Sequence, residues 1–333
     1  MKFQTQQAQD SAGWNLAQAV LLGGRRLGKG TLLSSEQAAA LGAQLVQVYQ
    51  LESDDLSEDE AAQSLQSDLF GQAATPDTAG LTLSEARTGR VNALAAKPGL
   101  VVLDAAGIGR FNGVDEAVTL ATLPDRQRVE TGDLVATLKI IPFAVPQATV
   151  NTARPAQPLV RIQPLRPQTI SLIQTQPGTV SDRVLDKARD ALQARLAALG
   201  SSIGQEQRVP HQSDAVAAAL DADKSGDLVV IFPGAATQDR RDVGPSGLVA
   251  AGGEVAHLGM PVDPGNLLFL GAHAGRPVIG APGCARSVAF NGFDWVLERA
   301  CADLVPTPAE IQALGVGGLL KEIPSRPLPR LKA

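Results

Sequence analysis

The 333 residues carry 29 basic and 34 acidic side chains, a net charge of −5, 44% hydrophobic residues and only 3% aromatics. That length exceeds one ordinary compact domain, so two domains, or three, are expected. The acidic balance argues against a general nucleic-acid or anionic-membrane partner, and the scarcity of rings argues against a stacking platform for single strands.

Of the basic residues 21 are Arg and eight are Lys. This bias suits bidentate recognition of phosphate or carboxylate, and it equally fits an Arg-biased genome. Cys284 and Cys301 lie 17 positions apart with no CxxC spacing, which fits a reducing compartment. The segment Met1–Asp10 is polar and lacks the apolar core of a signal peptide. No run approaches the roughly 18 apolar residues of a membrane span. A cytoplasmic protein is the expectation.

From Ser11 to about Gly71 short apolar runs alternate with an acidic patch over 52–60. The Gly-rich run Leu22–Lys29 superficially resembles a nucleotidyltransferase loop but lacks later acidic metal motifs, so it reads as a turn. From Thr78 to Pro146 the texture is β-rich, with strands expected at Leu100–Leu103 and Leu134–Ile141. Five prolines between Pro146 and Pro167 read as a linker or an extended crossing segment. Beyond it strands and helices alternate. Thr169–Gln176 is a strand closed by Pro177-Gly178, and Val184, Leu185, Ala188, Ala191, Leu192, Leu196 and Leu199 recur at helical spacing. Ser213 caps an Ala-rich helix, and Asp227–Phe232 is a buried strand. Further strands are expected at Leu267–Leu270 and Pro277–Ile279, with a helix from about Ser287 to Ala302. The expected fold class is α/β. A doubly wound parallel sheet occupies 168–333, an α+β region, in one or two subdomains, occupies 1–150, and the linker spans 151–167. In such sheets ligands sit beyond the carboxyl ends of the strands, which would gather the loops starting at Pro177, Pro233 and Ala281 on one edge.

The richest segment is Pro233–Pro245. A strand opens into small residues, then Arg240, Arg241, Asp239 and Asp242, then a helix start at Gly244-Pro245. Small residues admit an anion to backbone amides, an Arg can neutralise phosphate, and an Asp can hold Mg²⁺ or orient a nucleophile. The alternative is a solvated loop with surface ion pairs. The segment resembles the signature of the molybdopterin-binding domain of molybdopterin adenylyltransferases and molybdenum insertases. That signature is a strand, Thr-Gly-Gly-Thr-Gly, two variable residues and Arg-Arg-Asp-Val-Thr-Pro. Arg240, Arg241, Asp242, Val243 and Pro245 match, with Gly244 for Thr. Of the glycine-rich part only Gly234 is kept, while Pro233, Ala235, Ala236 and Thr237 depart. These losses bear on the grip on a nucleotide triphosphate more than on the pterin.

Three further segments extend the resemblance. Pro282-Gly283-Cys284-Ala285-Arg286-Ser287 is similar to the insertases' Pro-Gly-Asn-Pro-Val-Ser turn before their last helix, a phosphate site at a Ser-capped helix start. Cys284 reads as a nucleophile or sulfur ligand, or as a small buried residue, and the second is favoured. Asp263, Gly265 and Asn266 fall in a stretch similar to the pterin-facing turn, although capping in a tight turn explains Asp263 and Asn266 equally. Gln176–Asp182 corresponds to the family's first substrate loop, with Gly178 in the turn and Asp182, or else Asp186, as its acid. A first-turn helix acid is the plain alternative. The resemblance to a group accompanying molybdenum hydroxylases runs along nearly the whole chain, through the tail Gly315–Ile323, without a cytidylyltransferase half. His211, His257 and His273 show no metal or triad spacing, and only His257 adjoins a pterin-type loop.

The resemblance implies a protein that binds molybdopterin or its nucleotide form, as ligand or substrate. It would act in molybdenum cofactor biosynthesis, metal insertion or delivery to a molybdenum hydroxylase client, with Mg²⁺ held by Asp242 and Asp182 as catalytic acids. It also implies a homodimer. Whether the chain catalyses a step stays open. An Mg²⁺-dependent adenylyltransferase or pyrophosphohydrolase and a non-catalytic pterin-binding regulatory module are the alternatives.

Overall fold

The computed structural model describes residues 1–71 and 80–320 of the chain. Two compact units divide it, Met1–Gln163 and Pro164–Ala333.

The first unit begins with β1 (Lys2–Gln7) and β2 (Asn15–Leu16), then a hairpin of β3 (Val20–Leu22) and β4 (Arg25–Leu27), helix α1 (Ser35–Leu41) and β5 (Leu45–Gln50). Strands β1 and β2 flank β5, both antiparallel to it. Gly23 and Gly24, both at positive φ, make the two-residue hairpin turn, so of the Leu22–Lys29 run only these two residues are the turn and Arg25–Leu27 is a strand. β6 (Asp55–Ser57) leads into α2 (Glu58–Phe70). Glu58, Asp59 and Glu60 occupy the first helical turn, where the dipole favours acids, and Ser57 and Glu60 form a capping box. This accounts for much of the acidic patch.

Ala62, Leu65 and Leu69 recur one turn apart on α2 and are fully buried. They share a core with β7 (Leu81–Leu83), β8 (Arg90–Ala95), β10 (Val118–Thr122) and β12 (Leu134–Ile140), a sheet ordered β10-β12-β8-β7. β9 (Gly99–Leu103) precedes α3 (Ala105–Asn112) and pairs with β11 (Arg128–Val129); β14 (Val160–Pro164) completes that three-stranded sheet. β13 (Ala144–Pro146) pairs with β6 and runs into α4 (Gln147–Ala153). The proline-rich stretch 151–167 thus contains the end of α4 and all of β14, an edge strand, with Pro155 and Pro158 in the connection between them.

The second unit holds one six-stranded sheet with helices. In chain order it runs β15 (Thr169–Gln176), α5 (Asp182–Ala197), β16 (Ser202–Pro210), α6 (Ser213–Ala222), β17 (Leu228–Phe232), α7 (Val243–Ala250), β18 (Glu254–Leu258), β19 (Phe269–His273), β20 (Arg276–Gly280), α8 (Gly292–Ala300) and α9 (Pro308–Ala313). The strand order is β16-β15-β17-β20-β19-β18. β16, β15, β17 and β20 are parallel, and β19 is antiparallel to both of its neighbours. β15 and β17 are buried almost throughout, as strands covered on both faces are; β17 is wholly apolar, while β15 buries Ser171, Gln174 and Thr175 among its apolar residues. One core cluster unites Ile170, Leu172, Leu192, Leu196, Val230, Phe232 and Phe293, and another unites Ile173, Val216, Val229, Ile231, Leu248 and Phe269. The chain is α/β, its larger sheet mostly parallel.

Candidate functional site

β15, β17 and β20 lie side by side and parallel, with Gln174 opposite Phe232 and Ile231 opposite Gly280. Their carboxyl ends therefore align, and the loops beginning at Pro177, Pro233 and Ala281 leave the sheet on one edge. The order reverses about β15, since β16 lies on one side and β17 on the other, which is where open α/β sheets form ligand crevices.

Gly234 is tightly packed at this edge. A Cβ there would collide with Pro177 Cδ and stand 2.5 Å from the Thr175 carbonyl oxygen. Its backbone N–H donates to Thr175 Oγ1 at 2.6 Å, and Thr175 is fully buried. The same hydroxyl lies 2.7 Å from His211 Nδ1 and donates to it in the tautomer whose hydrogen is on Nε2. Burial pushes the His211 pKa below its ordinary value, against the opposing charge of Asp242, so the neutral ring suits this acceptor role. Sequence reasoning passed over His211. It follows β16, a polar edge strand that hydrophobic patterning does not reveal, and only the parallel pairing of Gln176 with Pro210 brings it to the edge.

The Arg-Arg-Asp segment is held by the protein itself. Arg240 donates to the Val255 carbonyl at 2.7 Å. Arg241 grips Asp239 through Nε at 2.7 Å and through a second guanidinium nitrogen at 3.2 Å. These hydrogen bonds hold the Asp239 carboxyl at about 2. Asp242 stands at the start of α7, and its Oδ2 accepts the backbone N–H groups of Gln238 and Asp239 at 2.6 and 2.9 Å. The carboxylate thereby ties the loop to the helix. Thr237 is buried within the same loop.

Beside it opens a cleft of about 310 Å³. Its walls are Gly234, Ala235 and Ala236 after β17; Asp263, Pro264, Gly265, Asn266 and Leu267 between β18 and β19; and Pro282, Gly283, Cys284 and Arg286 after β20. Backbone hydrogen bonds from Met260 N to Asn266 O, Gly292 N to Pro264 O and Leu320 N to Asp263 O fix the middle wall, at 2.9, 2.9 and 3.0 Å. The described part of the tail thus braces the Asp263 turn, while Lys321, Glu322 and Ile323 lie outside the described residues. Gly265 and Gly292 approach so closely that a Cβ on Gly265 would come within 2.8 Å of Gly292 Cα. The walls are mainly apolar, with Asp263, Asn266, Cys284 and Arg286 as their polar side chains.

Eight sequence-predicted residues meet in this cleft: Gly234, Ala235, Asp263, Gly265, Asn266, Pro282, Gly283 and Cys284. Gly178, Thr237, Arg240, Arg241, Asp182, Asp242 and Ser287 are not among its walls. Gly178 is an exposed turn residue. Asp182 is an exposed first-turn residue of α5, bonded to Gln176 Nε2 at 3.1 Å and 3.9 Å from Arg208. Asp186 pairs with Arg208 at 2.6 Å, which lowers its pKa. His257 sits in β18, the outermost strand. His273 is buried against the Ala251 carbonyl. Cys284 is half-buried, whereas Cys301 is buried and its thiol pushed up to about 11.

One expectation needs correction. The last long helix starts at Gly292, not near Ser287. Gly283–Arg286 form a single 3₁₀ turn that ends at Ser287, so Ser287 caps no α-helix start. The true cap is Asn291, in a capping box with Asp294. Asp294 in turn receives Arg195 Nε at 2.7 Å, and the same guanidinium donates to the carbonyls of Ala285, Ser287 and Ala289 at 2.9, 2.6 and 3.1 Å. Arg195 thus holds the carbonyls of 285–289 in a non-helical turn beside Arg286.

Among the described residues no group of three or more His, Cys, Asp or Glu side chains converges to hold a metal ion, and no helix is long and apolar enough to cross a membrane. Asp182 and Asp242, the two acids expected to share Mg²⁺, each engage protein partners: Asp182 through Gln176 Nε2, and Asp242 through the Gln238 and Asp239 amides.

Neither a family model nor a curated protein matches the sequence. Among solved structures, the chain is similar to the molybdopterin biosynthesis MoeA protein of Pyrococcus horikosii at 13% identity. That match covers 75% of this chain and 80% of that one, with a TM-score of 0.32. It is also similar to NadC of Streptococcus pyogenes at 14% identity, covering 53% and 68%, with a TM-score of 0.15. Likeness at these TM-scores transfers neither fold nor activity.

Proposed function

We propose that the second unit binds molybdopterin or its nucleotide form, in the service of molybdenum cofactor biosynthesis, metal insertion or delivery to a molybdenum hydroxylase. The observation that carries this reading is convergence. Three segments that stand where one family has its glycine-rich loop, its pterin-facing turn and its phosphate turn, namely Gly234–Ala236 (of which Gly234 matches), Asp263–Asn266 and Pro282–Cys284, wall a single cleft. Its Pro and Leu surfaces suit a flat ring, and Asp263 and Asn266 supply the acceptors and donors that a pterin edge presents. The binding role is better supported than a bond-making one, because Asp182 and Asp242 are occupied in holding local structure. We assign no step to Mg²⁺; bound with a ligand, it would take phosphate oxygens as its main donors. A homodimer and a hydroxylase client belong to the same proposal.

Native mass spectrometry of the protein purified from a host that makes molybdenum cofactor tests the reading. A bound mass equal to molybdopterin, its adenylylated form or a cytosine dinucleotide form is the expected result. An empty protein that also fails to bind added molybdopterin by calorimetry would defeat it.

A further inference from the structure

We infer that Arg286 is the anion-binding residue of the second unit, receiving a phosphate or diphosphate that joins two parts of a ligand lying in clefts on either side of it. The inference deepens the proposed site and rests on it, but it does not depend on a pterin as the occupant.

Arg286 lines the cleft described above and also a neighbouring one of about 530 Å³, which it shares with Arg183, Asp186, Lys187, Asp190 and Ser287. The charges there are unequal in their commitments. Asp186 is paired with Arg208 at 2.6 Å, a guanidinium that also holds Glu206, and Asp190 with Arg189 at 2.8 Å. Arg183, Lys187 and Arg286 enter no ion pair among the described residues. The second cleft therefore offers three uncommitted cations and two carboxylates already paired.

Arg286 is the one of these that both clefts share. Its only hydrogen bond among the described residues goes to the Pro233 carbonyl, which uses a single donor of the guanidinium's five. It is half-buried, and burial pushes its pKa down, a sign that the charge has lost water without gaining a counter-ion. An anion arriving between the clefts would meet the remaining donors in the fork geometry that phosphate oxygens match. The motif arginines are worse placed, since Arg240 holds Val255 and Arg241 holds Asp239. A diphosphate with a group attached at each end would extend one end toward Gly234–Ala236 and the other toward Arg183 and Lys187.

Two measurements on the full chain test this. The first is calorimetric titration with inorganic pyrophosphate and with a nucleoside diphosphate. Arg286→Gln should weaken pyrophosphate about 10-fold or more, whereas Arg241→Ala should change it less than about twofold. The nucleoside diphosphate should bind more tightly than pyrophosphate, and Arg183→Gln with Lys187→Gln should erase that advantage. The second is phenylglyoxal labelling of the wild type read by mass spectrometry, which needs no variant to fold. Pyrophosphate should protect Arg286. No binding of pyrophosphate, an unprotected Arg286, or equal affinity in Arg286→Gln would overturn the assignment; no gain from the nucleoside would overturn its two-cleft part. Titration with molybdopterin separates the two claims. Equal molybdopterin affinity in wild type and Arg286→Gln removes Arg286 and leaves the pterin reading, while pyrophosphate binding without molybdopterin binding does the reverse.

Discussion

Replacing Thr175 by Val removes one oxygen from the centre of the edge and changes its shape little. That oxygen accepts the Gly234 N–H at 2.6 Å and lies 2.7 Å from His211 Nδ1. Thr175 is fully buried, so no water stands ready to replace it. A donor left without its partner in such a place costs about 1–3 kcal/mol. For a unit of this size each kcal/mol moves the thermal midpoint by roughly 2–4 °C, so Thr175→Val should lower it by about 2–12 °C. Thr175→Ser also loses stability, through its missing methyl, so the midpoint alone does not isolate the hydroxyl. Two local readouts do. Amide hydrogen exchange at Gly234 should quicken in the Val variant and stay slow in the Ser variant. The His211 pKa, followed by NMR, should rise in the Val variant, because the neutral ring has lost the donor that stabilises it. A Gly234 amide as protected in Thr175→Val as in the wild type would refute the reasoning.

Three other outcomes follow from the same geometry. The His211 pKa lies below its ordinary value of 6.5 in the fold, so on acidification the unfolded chain takes up the proton first. Stability present above about pH 6.5 is then lost as pH falls through the lowered folded value; urea midpoints between about pH 7.5 and 5 should fall in the wild type and change less in His211→Gln, and equal slopes would exclude His211 as the cause. Arg195→Ala strands Asp294 and frees three carbonyls of the 285–289 segment; with the Arg195 side chain only 7% exposed the loss should be about 3–5 kcal/mol, and a loss under about 1 kcal/mol by denaturant titration would contradict that. The Arg241 side chain is 90% exposed, so Arg241→Ala should leave the thermal midpoint unchanged while the Asp239 pKa rises from about 2 toward its ordinary 3.8; an unmoved Asp239 titration in NMR would show that the pair does not persist in solution.

Much of the second unit was legible because its central strands obey simple chemistry. Thr169–Gln176 is a β-type run and Asp227–Phe232 an apolar one, both closed by Pro-Gly, and the sheet places them as neighbours. From that pairing alone the edge with loops at Pro177 and Pro233 follows. What escaped notice depended on contacts distant in sequence. Ser202–Pro210 carries Gln205, Glu206, Gln207 and Arg208 and has no apolar alternation, so its strand exists by backbone pairing with β15 at the sheet margin. Missing the strand meant missing His211. The start of α8 was misplaced because Ser287 looks like a cap, and its competitor, Asn291 with Asp294, is enforced by Arg195 from a helix almost 100 positions earlier. Arg286 drew no attention because the resembling turn has an apolar residue at that position, and only the folded chain shows that it faces two clefts.

The departures of Pro233–Thr237 from the resembling glycine-rich loop have a local explanation. Gly234, the one glycine kept, is the one position where a side chain would strike the neighbouring loop at Pro177 and the Thr175 carbonyl. Ala235 and Ala236 are exposed, and neither adopts a positive φ. Methyl groups there cost the loop no backbone strain, yet they keep a ligand further from the backbone amides than glycine would. Gly234 is thus the glycine that this loop's packing demands, and Ala235 and Ala236 stand where a closer backbone approach to an anion would need glycine. An anion held at this edge must find its donors on side chains, and Arg286, with four of its five N–H groups uncommitted, is the side chain of the cleft that can supply them.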